Sequence, residues 1–197
     1  MVGLGNTVRA TMLYMLEAEP EKHFYVKLLR YKNQTELFVD RFGDYNNVSF
    51  EILDAINDLA HTVDVFISCI TSANGLLVKE DKTFQQGVTV IPVHMRGMLN
   101  CDTTFDRVFG DVTDHVKNFK FFPQYKDYSE IGEVLAGRDP GRKTDNQRII
   151  DYNYGLALHD VAYASKIYEM IANKDVPNIE IIKETEKNWI WNSFLEK

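Results

Sequence analysis

The chain has 197 residues, 45% of them apolar and 26% charged, so it can bury a core and is not a disordered segment. Its 22 basic and 29 acidic residues leave a net charge of −7, which argues against a nucleic-acid partner but leaves room for a local anion site built from backbone N–H groups. No apolar run approaches the ~20 residues of a membrane span, no basic segment leads into an apolar stretch at the N-terminus, and two cysteines, Cys69 and Cys101, make neither a disulfide framework nor a four-ligand zinc site; no membrane partner is expected, and a reducing cytoplasm is the simplest compartment.

The chain opens Met1-Val2-Gly3-Leu4-Gly5-Asn6-Thr7. Behind this, Val8, Met12, Met15 and Leu16 recur at helical spacing as far as Pro20. Residues 24–29 are rich in β-formers and predict a strand. Residues 35–42 read as a helix ending near Gly43, and Val48, Phe50 and Ile52 alternate as a short strand. Residues 55–60 give a turn or two of helix. Residues 64–70 (DVFISCI) and 88–93 (VTVIPV) are near-continuous apolar runs, as parallel strands buried on both faces require, with Pro92 near a strand end. Residues 98–130 are mixed and aromatic-rich, and residues 137–148 form a polar loop. Ala157, Val161, Ala164, Tyr168 and Ile171 mark an amphipathic helix, and residues 176–182 a last strand. Alternating helices and strands predict an α/β class: a Rossmann-like, mostly parallel sheet flanked by helices.

Gly3-x-Gly5 before a helix fits a phosphate cradle, in which one glycine permits the tight turn and the next lets the backbone approach a pyrophosphate. Val8 stands where a third glycine is usual, and an ordinary glycine turn is the competing reading. A strand should precede Gly3, and only Met1 and Val2 are there. The expectation is a fold truncated at its first, central strand, with exposed sheet edges that favour association over a tidy monomer.

Residues 131–172 resemble the ornithine cyclodeaminase/mu-crystallin family. The carrying segments are Ile131-Gly132-Glu133-Val134-Leu135-Ala136-Gly137-Arg138, Pro140-Gly141-Arg142-Lys143-Thr144-Asp145, Ile149-Ile150-Asp151-Tyr152-Asn153-Tyr154-Gly155-Leu156-Ala157 and Asp160-Val161-Ala162-Tyr163-Ala164. Upstream, VGLGNTVRA, DVFISCITSANG and VTVIPVHMRG fall in the expected order, and residues 94–122 look most like a bacterial branch named for a tyramine oxidase component. The resemblance implies an NAD- or NADP-binding domain over residues 1–175, followed by a C-terminal extension over 176–197. It also implies a separate domain for substrate binding and dimerisation, from the family's N-terminal part, which this sequence lacks. Members act on amino acids or imines by hydride transfer. By resemblance Gly3, Gly5, Asn6 and Thr7 contact the pyrophosphate, Thr71 and Ile91 lie along the cofactor, Asn153 approaches the nicotinamide and Tyr154 the substrate. The family's usual aspartate before a "PGK"-like turn corresponds to His94, and the lysine of that turn to Met98. The family's substrate-binding arginine and lysine lie in the part absent here, so the isolated chain is expected not to turn over substrate. A non-catalytic nucleotide-binding or accessory protein is the alternative to an oxidoreductase domain.

His94 follows a buried strand, where a neutral imidazole can shuttle a proton, or where a loop histidine bonds only to backbone. Arg96 can hold a substrate carboxylate in bidentate fashion or be solvated. Cys69 reads as core and Cys101 as structural. His23, His61, His115 and His159 show no metal-ligand spacing, so no metal is expected. Lys117, Lys120 and Lys126 among aromatics read as flanking a packed cluster, and Trp189, Ile190, Trp191, Phe194 and Leu195 as core or a covering patch. Selectivity between NAD and NADP is set about 20 residues past the glycine turn. Leu28-Leu29-Arg30-Tyr31-Lys32-Asn33 offers no acid there, and a strand would direct Arg30 and Lys32 to one side. That favours NADP over NAD.

Overall fold

The computed structural model describes residues 1–94 and 96–174. They fall into two compact units, Met1–Tyr154 and a second beginning at Gly155.

The first unit holds α1 (Asn6–Ala18), β1 (Phe24–Leu29), α2 (Gln34–Phe42), β2 (Val48–Leu53), α3 (Ile56–His61), β3 (Val65–Ser68), β4 (Thr89–Pro92), β5 (Arg107–Gly110), α4 (Thr113–Val116), β6 (Tyr128–Glu130), α5 (Ile131–Leu135) and β7 (Ile149–Tyr152). β1 and β2 pair, and the order β3-β4-β7-β5-β6 makes a five-stranded sheet. Every pairing is parallel. The expected central strand is present as two residues. Val2 donates to the Ile67 carbonyl (2.9 Å), and Cys69 donates back to the Val2 carbonyl (2.9 Å). On the other side Leu29 donates to the Met1 carbonyl at 3.1 Å. Met1–Val2 thus ties β1 to β3 near their C-terminal ends, at the place of the truncated first strand.

One face is covered by α1 and α2. Val8, Met12 and Leu16 pack with Phe38, Phe42, Val26, Leu28 and Ile67. Val8 is fully buried, so at the third-glycine place a side chain fills the helix–strand contact. On the other face α3 and α4 share the work with loops: Val78, Phe84, Met98, Cys101 and Phe105 pack on Phe66, Val90, Val108 and Ile150. Phe84 sits edge-on to Phe66 and Phe105, with centroids 5.3 and 5.7 Å away. Both cysteines are buried thiols, and burial pushes Cys69 up to about 11.

β5 and β6 lie inside the aromatic-rich stretch that carried no strand signal. β5 opens on Arg107, a charge that contradicts a buried strand by composition. Its guanidinium is enclosed and matched: it pairs with Asp139, donates to the Gly141 carbonyl, lies 3.4 Å from Asp127 and stacks 4.5 Å from the Phe109 ring centroid. Arg142 donates to Thr89 Oγ1 (2.8 Å) and to the Gln147 carbonyl. The polar 137–148 loop is therefore a clamp joining β5, β4 and β7. Phe119, Phe122, Tyr125 and Tyr128 pack as the expected aromatic cluster.

The second unit contains α6 (Ala157–Ile171), where the spacing placed a helix. Its large apolar side chains are exposed, Leu158 at 70% and Ile167 at 58%, so the predicted burial of one face does not hold among the described residues. The predicted strand at 176–182 and the tryptophan-rich segment lie outside the described residues. No helix among those described is long and apolar enough to cross a membrane.

Candidate nucleotide-binding site

Parallel strands put all their C-terminal ends on one edge, where open α/β sheets bind ligands. The predicted site residues follow those ends: Gly3, Gly5, Asn6 and Thr7 after Met1–Val2, Arg30 after β1, Thr71 after β3, His94 and Arg96 after β4, and Asn153 and Tyr154 after β7. Ile91 does not. It lies within β4, half-buried against the core on the α1 side, because strand alternation turns it there beside Ile67.

The glycine turn is tight. Gly3 has φ +80°, and a Cβ on it would stand 2.7 Å from the backbone of Cys69 and Ile70. Glycine is thus demanded by the close approach of the turn to the end of β3. Gly5 N-caps the 13-residue α1, which has no side-chain cap and no acidic residue in its first turn. Its first N–H groups carry the partial positive charge of the helix terminus without an internal anion. Asn6 Oδ1 is buried there with no hydrogen-bond partner among the described residues. Thr7 is exposed. The free N–H groups and the close glycine turn fit a pyrophosphate.

Arg30 is already engaged. Its Nε donates to Asp54 Oδ1 at 2.7 Å, and its Nη1 pairs with Glu36. Its hydrogen bonds to Asp54 first and then to Glu36 raise its pKa above the ordinary value. The idea that Lys32 shares its side of a strand is corrected: β1 ends at Leu29, Lys32 has φ +51°, and its amine lies 5.3 Å from the Tyr31 ring centroid.

Beyond β3 and β4, two loops are fastened together. Leu77 donates to the Gly97 carbonyl (2.9 Å), and Asn100 Nδ2 donates to the Val78 carbonyl (3.0 Å). Ala73, Gly75, Leu76, Arg96, Gly97 and Leu99 line a cleft of about 380 Å³ between them. Its walls are apolar with one guanidinium, the chemistry of a small carboxylate site. His94 is exposed on the preceding turn, while Met98 is fully buried.

After β7, Tyr154 stands edge-on to Phe119 (5.8 Å) and to His115 (6.3 Å). Asn153 Nδ2 donates to Asp151 Oδ2 at 2.7 Å. Two buried carboxyls here escaped sequence reasoning. Asp102 accepts hydrogen bonds from Tyr152 and, at 3.5 Å, from Tyr125. Burial pushes it up to about 6, opposed by those hydrogen bonds. Asp151 is 8% exposed, and its Oδ1 has no hydrogen-bond partner among the described residues. Burial lifts it to about 6, opposed by Asn153, with Asp111 adding a like charge. The available signal was an acid inside an apolar run, Ile149-Ile150-Asp151-Tyr152. For Asp102 there was none, since its partner is 50 residues away.

Residues 105–175 match the model of the ornithine cyclodeaminase/mu-crystallin family, as the resemblance held. Nodulation efficiency protein NfeD of Rhizobium meliloti is 34% identical over 95 residues, 44% of this chain and 29% of that protein. A Δ1-pyrroline-2-carboxylate reductase of Thermococcus litoralis, solved with NADH and L-proline, superposes with TM-score 0.74 at 15% identity, over 90% of this chain and 59% of that one. A probable ornithine cyclodeaminase of Bordetella pertussis Tohama I gives 0.67 at 20% identity, over 90% and 60%. At these identities the superpositions show the fold. The chain spans about 60% of the length of these two solved structures.

Proposed function

We propose that this chain, matched to the ornithine cyclodeaminase/mu-crystallin family over residues 105–175, binds a nicotinamide dinucleotide across the C-terminal edge of its sheet and acts in hydride transfer with an amino acid or imine. One observation carries the reading. The uncapped N-terminus of α1 follows the Gly3–Gly5 turn at the point where the chain departs to β1 on one side and β3 on the other. That is the switch point at which doubly wound sheets bind dinucleotides.

In this reading Gly3, Gly5, Asn6 and Thr7 hold the pyrophosphate through backbone N–H groups, and Thr71 and Asn153 flank the nicotinamide half. A nicotinamide held there would supply the hydride chemistry. Arg96 orients the substrate carboxylate in the apolar cleft after β3 and β4, and Tyr154 approaches the substrate from the end of β7. His94 exchanges a proton at the substrate nitrogen. Catalysis requires the substrate held against the cofactor. With the chain spanning about 60% of the solved structures, turnover is proposed for the intact protein, assembled as a homodimer in the cytoplasm, where Cys69 and Cys101 stay reduced.

Non-catalytic nucleotide binding is the second reading. Met98, where the family's turn carries a lysine, is wholly buried and so serves packing. Fluorescence titration with NADH, followed by amino-acid oxidation and imine reduction assays, separates the two. Saturable NADH binding with turnover that His94→Gln lowers at unchanged cofactor affinity supports the enzyme. Binding without turnover in the full-length protein supports the second reading. A folded chain that binds no nucleotide refutes both.

A further inference from the structure

We propose that Glu36 and Asp54, by clasping Arg30, make the ribose end of this site selective for NAD over NADP; the proposal rests on the dinucleotide reading above. The usual device is one acidic residue at the end of the second strand, which accepts hydrogen bonds from the ribose 2′-OH and repels a 2′-phosphate. Here that place carries a basic residue, Arg30, and sequence alone favours the opposite cofactor.

The tertiary structure reverses the electrostatics. Arg30 is the first residue after β1, and its N–H donates to the Leu53 carbonyl at 2.8 Å, which pins it beside the end of β2. Asp54 is the next residue along and takes Arg30 Nε at 2.7 Å. Glu36, in the first turn of α2, takes Nη1 from the other side. The helix N-terminus favours a carboxylate at that position. Lys32 is turned onto the Tyr31 ring by its left-handed backbone. Of the two cations the sequence offers to a phosphate, one is neutralised by two carboxylates and the other is stacked.

A 2′-phosphate brings about −1.5 to −2 charges, and it would have to displace a carboxylate from Arg30 while standing beside both. A 2′-OH is neutral and donates a hydrogen bond to lone pairs that Arg30 leaves open. The three side chains are exposed, at 46%, 49% and 79% for Arg30, Glu36 and Asp54. Their removal therefore spares the fold, and the pairing is screened by salt.

Calorimetric titration of the full chain with NADH and with NADPH tests this, on wild type, Glu36→Gln/Asp54→Asn, and that double variant with Arg30→Ala added. Wild type is expected to bind NADH at least tenfold tighter. The double variant should tighten NADPH binding at least tenfold, narrowing or inverting the preference, and Arg30→Ala should abolish that gain. Wild-type preference for NADPH, or an unchanged ratio in the double variant, overturns the proposal while leaving the dinucleotide reading intact. Failure of the folded chain to bind either nucleotide overturns both.

Discussion

The two halves of the sheet are held by different forces. Around Met1–Val2, β1 and β2, the contacts are hydrocarbon: Phe38 is fully buried with Phe42 at 4.9 Å and Phe50 at 6.0 Å between ring centroids. Around β5, β6 and β7, polar pairs reinforce the apolar core: buried Arg107 with Asp139, half-buried Arg142 with Thr89, buried Asp102 with Tyr152. Apolar contact tolerates a change of shape at similar volume. A guanidinium fork tolerates neither lost charge nor altered geometry. The halves therefore differ in what breaks them.

The largest effect is expected at Phe38. Phe38→Ala should cost about 3–5 kcal/mol by cavity formation, whereas Phe38→Leu should recover most of it. In the other half Arg107→Ala should cost about 3 kcal/mol, and Arg107→Lys should recover little, because an ammonium cannot pair with Asp139 and the Gly141 carbonyl as a fork. Urea midpoints of the four variants make the comparison. Equal rescue by Leu and by Lys would erase the distinction between the halves.

The pH dependence sharpens it. Burial raises Asp102 from 3.8 to about 6, so the folded chain binds that proton more tightly than the unfolded chain. The associated stability is complete below the unfolded value near pH 4 and is lost as pH rises through 6, by about 3 kcal/mol. Asp102→Asn keeps an acceptor for Tyr152 and does not titrate. Its stability relative to wild type should therefore rise between pH 4 and 7.5, while that of Phe38→Leu should not change with pH. A pH-independent difference for Asp102→Asn would show that Asp102 titrates in the ordinary carboxylate range.

Gly3→Ala should destabilise by about 1–3 kcal/mol, from the left-handed φ and the collision with the end of β3. It should also weaken NADH binding more than Phe38→Leu does at equal residual stability. The smallest effect is reserved for the Glu133–Arg138 pair, bidentate at 2.6 and 2.7 Å but exposed. Glu133→Gln should leave the urea midpoint within error, since good geometry in water adds little.

Legibility in the sequence divides along the same line. β1 was bounded correctly from its β-formers, and α1, α2 and β2 to within two residues, because their apolar residues recur at the period of the element they build. β3 and β4 were placed but overrun, since an apolar run does not mark where pairing stops. β5 and β6 were missed: Arg107 disguises a fully buried strand, and three half-buried residues, Tyr128–Glu130, carry no period. At the site, the glycine turn and the strand-end positions of His94, Arg96, Asn153 and Tyr154 were legible, because strand ends follow from strands. Ile91, assigned to the site by resemblance, lies within β4 and is half-buried on the α1 side.

The sequence by itself determined the class of the fold, the order of its first six elements and the position of the glycine turn, since each depends on residues a few places apart. Only the tertiary structure decided what the charges do. Arg30 meets Asp54 across 24 residues, Arg107 meets Gly141 across 34, and Asp102 meets Tyr152 across 50. A local period carries no information about such partners, because the pairing is created by adjacent parallel strands whose connections are long. The character of the C-terminal end of β1, basic along the chain and balanced by acids in space, follows from that folding.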